Sequence, residues 1–164
     1  MIAQAQRPQH GFICYARKDR EIVWKLREHL SAIELLHGFN FWCDESDIGA
    51  GDEWEKQILE AIGRADVILL AVSSAAVASK FIVRKELPAI RQRYTDNPNT
   101  LIVPVWLSPS DRRTYFFKRQ WVPLCNGELK PLVKWPSLDD ACHQAEQEIE
   151  AQIARYYGPA DEIC

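Results

Sequence analysis

The sequence predicts an α/β domain built on a parallel sheet, and three observations carry that prediction. Strand-like and helix-like stretches alternate along the chain. The stretch Val67 to Val72 is an unbroken apolar run, which suits a central strand covered on both faces. Helical stripes stand on either side of it, at Ile22, Leu26, Leu30 and Ile33 and again at Trp54, Ile58, Ala61, Ile62 and Ala65. A length of 164 residues fits one ordinary domain with a core that needs no staples.

The elements follow in order. Gly11 to Tyr15 is short, apolar and aromatic and reads as a first strand; Asp19 offers an N-cap to the first helix, and Gly38 stops it. Phe39 to Trp42 reads as a second strand. The loop from Cys43 to Asp52 carries Asp44, Glu45, Asp47, Asp52 and two glycines, and ends in a capping box of Asp52 and Glu55. After the run Val67 to Val72, Ser73 and Ser74 end the strand. A helical segment is predicted from about Val77 to Tyr94. Within it Pro88 removes a backbone donor and crowds the Arg84 carbonyl, so a kink or break is expected there. Asp96 to Asn99 is a turn cluster. Leu101 to Trp106 is a strand that Pro104 should end early or confine to an edge. Ser108 to Asn126 is irregular, Leu129 to Trp135 reads as a short edge strand, and Ser137 caps a last helix with Leu138, Ala141, Ala145, Ile149 and Ile153 on one face. The expected organisation is a poorly ordered N-terminus over residues 1–10, a domain over 11–157, and a tail or linker start over 158–164.

Composition narrows the function. A net charge of −3 argues against a nucleic-acid binder, and the basic residues Arg112, Arg113, Lys118 and Arg119 read as a solvated loop. The five cysteines are scattered and odd in number, which speaks against disulfides and structural zinc and for a reducing compartment. No signal peptide or membrane-spanning run is evident, so a cytoplasmic location without membrane attachment is expected. The first strand is not followed by Gly-x-Gly-x-x-Gly, and there is no Walker A loop. His10, His29, His37 and His143 lack metal-ligand spacing, and His29 and His37 read as surface residues. A receiver domain would need an acidic pair after the first strand and an aspartate ending the third. Those places hold Ala16-Arg17-Lys18 and Val72-Ser73-Ser74.

Glu86 is the one sharp chemical candidate. In parallel α/β sheets the ligand crevice lies outside the carboxyl ends of the strands. The loops Tyr15 to Asp19, Cys43 to Asp52 and Ser73 to Lys80 should converge on that rim, and Glu86 lies one or two turns beyond it. A carboxylate there can stabilise a ribosyl cation or position hydroxyls and water. The bland alternative is a solvated helix glutamate among Arg84, Lys85 and Arg91.

Phe12-Ile13-Cys14-Tyr15-Ala16, Trp42-Cys43-Asp44, Ile48-Gly49-Ala50-Gly51, Trp54, the strand ending at Ser73, Ser79 to Pro88 and Ile102-Val103-Pro104-Val105 occur in one order and spacing over about Gly11 to Tyr157. The pattern resembles a Toll/interleukin-1 receptor (TIR) domain of the bacterial kind. The resemblance implies a flavodoxin-like parallel sheet with helices on both faces. Family members that cleave NAD carry their glutamate after the third strand, in a Ser-to-Glu-Leu motif. Here that implies Glu86 as the catalytic residue, with Ser79 and Leu87 in register. It also implies a substrate-binding set of Cys14, Tyr15, Ala16, Arg17, Trp42, Asp44, Ile48, Ser79 and Ile82. Cys43 to Asp52 corresponds to the BB loop, which gates the site and makes assembly contacts. Arg17 reads either as facing the pyrophosphate or ribose or as a helix-end surface arginine. Trp42 and Trp54 each read as stacking on a base or filling the core, and core packing suits Trp54 better, because it lies on the apolar stripe.

Two positions depart from the pattern. Cys14 stands where the family usually has serine. Ile82 stands where several active members have tryptophan, which weighs against base stacking there and against cyclisation more than hydrolysis. The leading expectation is an NAD glycohydrolase of a bacterial antiviral defence or signalling system. It would yield nicotinamide and ADP-ribose or a cyclic isomer, with NAD as substrate and neither cofactor nor metal. Self-association through TIR–TIR contacts, up to a filament, would activate it, with a fused or separate sensor. The alternatives are a non-enzymatic adaptor module and, less well matched in the BB loop, a deoxyribose-transferring α/β enzyme.

Overall fold

The computed structural model describes residues 7–43, 52–115 and 120–160. The sequence-based expectations for Asp44, Glu45, Asp47, Ile48, Lys118 and Arg119, and for the Asp52 side chain in the capping box, lie outside the described residues.

The chain runs β1 (His10–Cys14), α1 (Arg20–His37), β2 (Asn40–Trp42), α2 (Asp52–Arg64), β3 (Val67–Val72), α3 (Ser74–Ala78), α4 (Leu87–Asp96), β4 (Leu101–Trp106), β5 (Leu124–Cys125), β6 (Glu128–Leu129) and α5 (Leu138–Tyr157). β1 to β4 form a parallel sheet in the order β2-β1-β3-β4. All six residues of β3 are buried, as its apolar run requires. Alternation of side chains across the pleat divides the core in two. Ile13, Val67, Leu69, Ala71, Val103 and Val105 meet α1 and α5 on one face. Phe12, Cys14, Ile68, Leu70, Val72 and Ile102 meet α2, α3 and α4 on the other.

Two glycines are demanded by position. Gly38 closes α1 at φ +74°, and its N–H donates to the Glu34 carbonyl at 2.9 Å. Gly11 lies under the aromatic pair Phe39–Phe41, where a Cβ would stand 2.6 Å from Phe41 Cδ1. Pro104 does not shorten β4. It sits on the edge strand and its carbonyl accepts from Val122 N–H at 3.0 Å, so its missing donor faces away from β3.

Several expectations are corrected. Leu129 to Trp135 adds no strand to the main sheet. Asn126 and Gly127 take positive φ and close a small antiparallel hairpin of β5 and β6, and Pro131 leads into a 3-10 turn over Leu132–Lys134. Among the described residues, only an isolated bridge, Val105 to Val122, extends the sheet beyond β4. Asp19 occupies the N-cap position of α1 but makes no capping bond; its carboxylate accepts instead from the Ser73 hydroxyl. His37 is buried, with Nε2 3.0 Å from Glu150 Oε1, rather than on the surface. Ser137 does cap α5, accepting from Asp140 N–H at 3.2 Å.

Candidate functional site

The strand order places the site. β1 leads to β2 on one side and β3 leads to β4 on the other, so the connections after β1 and β3 diverge and leave a crevice at the carboxyl ends of these two strands. A cavity of about 370 Å³ lies there. Tyr15, Ala16, Arg17 and Lys18 line it from the loop after β1, and Ala75, Ala78 and Ser79 from the segment after β3. Trp42 at the end of β2, Trp54 and Ile58 on α2, and Phe81, Ile82 and Glu86 complete the wall over a floor of Phe12 and Ile13.

The backbone around Glu86 is unusual and has an identifiable cause. Ser79 breaks the helix after α3, and its hydroxyl caps the next segment by accepting from Ile82 N–H at 3.3 Å. Residues Ile82–Glu86 then form a π-turn, closed by the Leu87 N–H on the Ile82 carbonyl. Pro88 follows at the start of α4. Proline cannot donate to the Arg84 carbonyl, so the regular register is interrupted there, and the extra residue is absorbed as a π-turn. This is the kink expected from Pro88, in a particular form. It brings Ile82, Glu86, Leu87 and Ile90 all inward, and Glu86 is only 5% exposed.

Beneath the cavity lies a buried polar cluster. The Cys14 thiol hydrogen-bonds to the Glu86 carboxylate. Burial first, then the Glu86 charge and that bond, push the thiol well above its ordinary range, so it stays protonated and donates. Tyr115 comes from the irregular segment after β4 and is 4% exposed. Its hydroxyl has no hydrogen-bond partner among the described residues. Burial, followed by Cys14, Glu86 and Asp19, raises the Tyr115 hydroxyl far above its ordinary range. Burial likewise raises the Asp19 carboxyl, opposed by the bond from Ser73. Ser73 also accepts from Ala76 N–H at 3.0 Å, so one hydroxyl caps α3 and ties the loops after β1 and β3 together.

Of the ten residues expected from the sequence, Tyr15, Ala16, Arg17, Trp42, Ser79, Ile82 and Glu86 line the cavity. Cys14 lies under it against Glu86, and Asp44 and Ile48 lie outside the described residues. Sequence reasoning missed Phe81, Lys18 and Tyr115. Trp54 fits both of its readings: it packs partly buried against the core and also lines the cavity, with its ring 4.7 Å from Phe81 and the Arg17 guanidinium 5.4 Å from its centroid. Phe12 and Trp42 stack at 5.7 Å. Aromatic surface that Ile82 cannot supply is therefore provided by Trp54 and Phe81. The basic stretch elsewhere is committed locally. Arg112 packs over Trp106 and Trp121, and Arg113 pairs with Asp111 at 2.7 Å. Among the described residues no group of three metal-ligating side chains occurs, and no helix is long and apolar enough to cross a membrane.

Comparison with known proteins agrees with this architecture. The chain is 27% identical over 145 residues to the uncharacterized protein y4lF of Sinorhizobium fredii (strain NBRC 101917 / NGR234). The match covers 88% of this chain and 43% of that protein, so this chain spans less than half the length of its relative. The fold superposes on the crystal structure of the RPS4 and RRS1 TIR domain heterodimer with a TM-score of 0.57 at 16% identity, covering 91% of this chain and 98% of that one. Residues 12–133 match the family described as TIR domain. With its four-stranded parallel sheet between two helical layers, the chain belongs to the TIR domain family.

Proposed function

We propose that this domain is an NAD glycohydrolase that breaks the nicotinamide–ribose bond, with Glu86 as its catalytic carboxylate. One observation carries the reading: a nearly buried glutamate lines a cavity that also holds a cationic pair and an aromatic wall. The cavity's size, about 370 Å³, falls within the range of about 300–1,000 Å³ typical of small-molecule sites.

The chemistry follows from the charges. In NAD the ring nitrogen of nicotinamide is cationic. When its bond to ribose C1′ breaks, the electron pair moves to that nitrogen and neutral nicotinamide leaves. No acid is needed to assist it. Positive charge develops on the ribose, and a preorganised carboxylate in a dry site stabilises it. Water then adds to C1′ and gives up a proton to Glu86, completing ADP-ribose. Arg17 and Lys18 suit the pyrophosphate, and Trp54 with Phe81 offers a face to a flat ring.

Self-association is part of the same proposal. The structural neighbour is a heterodimer of two TIR domains, and a contact between copies here would bring a second surface to the mouth of the cavity. The test is nicotinamide release from NAD by clustered full-length chain, comparing wild type with Glu86→Gln and Glu86→Ala at matched melting temperature. Loss of about 10²–10⁴-fold in both variants is expected for a carboxylate in this role. Absence of release from folded, clustered wild type would reject the enzymatic reading and leave a TIR interaction module.

A further inference from the structure

The buried polar cluster under the cavity contains groups that the cleavage step above does not use. We propose that Cys14 and Tyr115 are positioning residues of this site: two neutral donors, brought from β1 and from the loop after β4, that meet beneath Glu86 and hold its carboxylate charged and aimed into the cavity. The proposal rests on the NAD-cleaving reading for its kinetic part, but its structural part can be tested alone.

The argument starts from burial. A carboxylate withdrawn from water is penalised unless donors replace the lost solvent. Cys14 supplies one such donor, because its thiol hydrogen-bonds to Glu86 and stays protonated. Tyr115 packs in the same apolar cluster as Cys14, Ile82 and Leu87, on the Glu86 side of the sheet. Its hydroxyl is buried and unpaired among the described residues. Buried donors almost always find an acceptor, so this one calls for an assignment. Two carboxylates act on it, Glu86 and Asp19. Of the two, Glu86 acts on it more strongly, and a carboxylate that already accepts from Cys14 has room for a second donor, so Glu86 is the acceptor assigned here, reached by a small shift of the Tyr115 side chain.

The charged surroundings of Glu86 fit a need for neutral donors. Arg17 and Lys18 share the cavity from the loop after β1, where they are placed for an anionic ligand. On the helix of Glu86 itself, Arg84 is exposed and Lys85 pairs outward with Glu55 of α2 at 3.3 Å. A thiol and a phenol donate to a carboxylate without adding positive charge to it.

The test uses the full chain labelled with ¹³C at glutamate carboxyls, with Glu86→Gln identifying the Glu86 signal. Titration of that signal is followed in wild type, Tyr115→Phe, Cys14→Ala and Cys14→Ser. Loss of a donor to the charged form should move the Glu86 midpoint to higher pH in Tyr115→Phe and Cys14→Ala, while Cys14→Ser, which keeps a donor, should remain near wild type. In NAD cleavage the same two variants should lose about tenfold in kcat with KM unchanged, the worth of one hydrogen bond to a charged group, and the acid limb of their pH profiles should move up with the midpoint. The proposal is overturned if the Glu86 midpoint stays put in both. It is equally overturned for Tyr115 if Tyr115→Phe moves the Asp19 titration instead, since the hydroxyl would then serve Asp19, or if it raises the melting temperature with Glu86 unchanged, since the hydroxyl would then be a tolerated orphan. Wild type that cleaves no NAD but shows the shifted titrations would remove the enzymatic reading and leave the seat standing. Active wild type with unshifted variants would do the reverse.

Discussion

Replacing Pro88 with alanine should separate stability from activity. Alanine restores an N–H for the Arg84 carbonyl, worth about 1 kcal/mol net. Against it stands the freer unfolded chain, which costs about 0.4–1 kcal/mol relative to proline. The two nearly cancel, so the melting temperature should move by no more than about 2–4 °C for a domain of this size. The geometry does not cancel. In the π-turn the Leu87 N–H reaches back to the Ile82 carbonyl. Return to the regular register turns the residues on either side by about 100° relative to each other. Leu87 and Ile90 are buried and hold α4 in place, so the segment carrying Glu86 takes the rotation. A carboxylate swung through that angle leaves the cavity, and misplacement by as little as about 1 Å costs on the order of 10²-fold in rate. The assay is nicotinamide release alongside a thermal melt. Pro88→Ala that melts like wild type and also cleaves NAD like wild type would refute the reasoning, because either the π-turn or its link to Glu86 would then be wrong.

The other predictions concern the frame around the site. Gly11→Ala places a methyl 2.6 Å from Phe41 Cδ1 and 3.0 Å from Phe39 Cε2, and these rings pack edge to face at 5.0 Å with little room to yield. A loss of about 1–3 kcal/mol by chemical denaturation is expected, and unchanged stability would contradict the packing. Trp54→Leu keeps the helix and removes the aromatic wall, so KM for NAD should rise up to about tenfold with kcat nearly unchanged; a KM equal to wild type would assign Trp54 to packing alone. Asp19→Asn probes burial of a carboxyl whose folded-state affinity for a proton is raised. A raised value means the protonated carboxyl is favoured by folding below the unfolded-state value, and that advantage is lost as pH rises through the folded-state value. Asparagine can still accept from Ser73, so the variant should gain stability over wild type at neutral pH, with the gain fading as pH falls through the raised folded-state value and gone by the unfolded-state value of about 4. A constant difference across that range would show that the carboxylate charge is not the cause.

What the sequence made legible and what it hid divide along physical lines. The short apolar runs of β1, β3 and β4 and the stop at Gly38 are written in single residues and their near neighbours, and the sheet follows from them. The position of Glu86 was readable because the carboxyl ends of parallel strands share a rim. The features that escaped are those set by distant partners. Asp19 reads as a cap for the residues beside it, yet its partner Ser73 is 54 positions away. Trp54 lies on the apolar stripe of α2 and packs against the core, but it sits in the helix's first turn, where it also lines the cavity. Tyr115 comes from a segment with no periodicity at all, so nothing local marks it as interior. The π-turn is subtler, since Pro88 announced an interruption but not its form. A break would have ended the helix, and a simple kink would have kept the regular register. Ile82 and Leu87 are both buried, five residues apart, a spacing that a regular helix cannot bring onto one line. The demand of the core for both side chains, together with the missing donor at Pro88, selects the π-turn, and that choice brings Glu86 inward onto Cys14. The candidate catalytic carboxylate therefore owes its place to a packing requirement acting through a backbone defect, and that is why the spacing of Ser79, Glu86 and Leu87 alone could name the residue without showing what holds it.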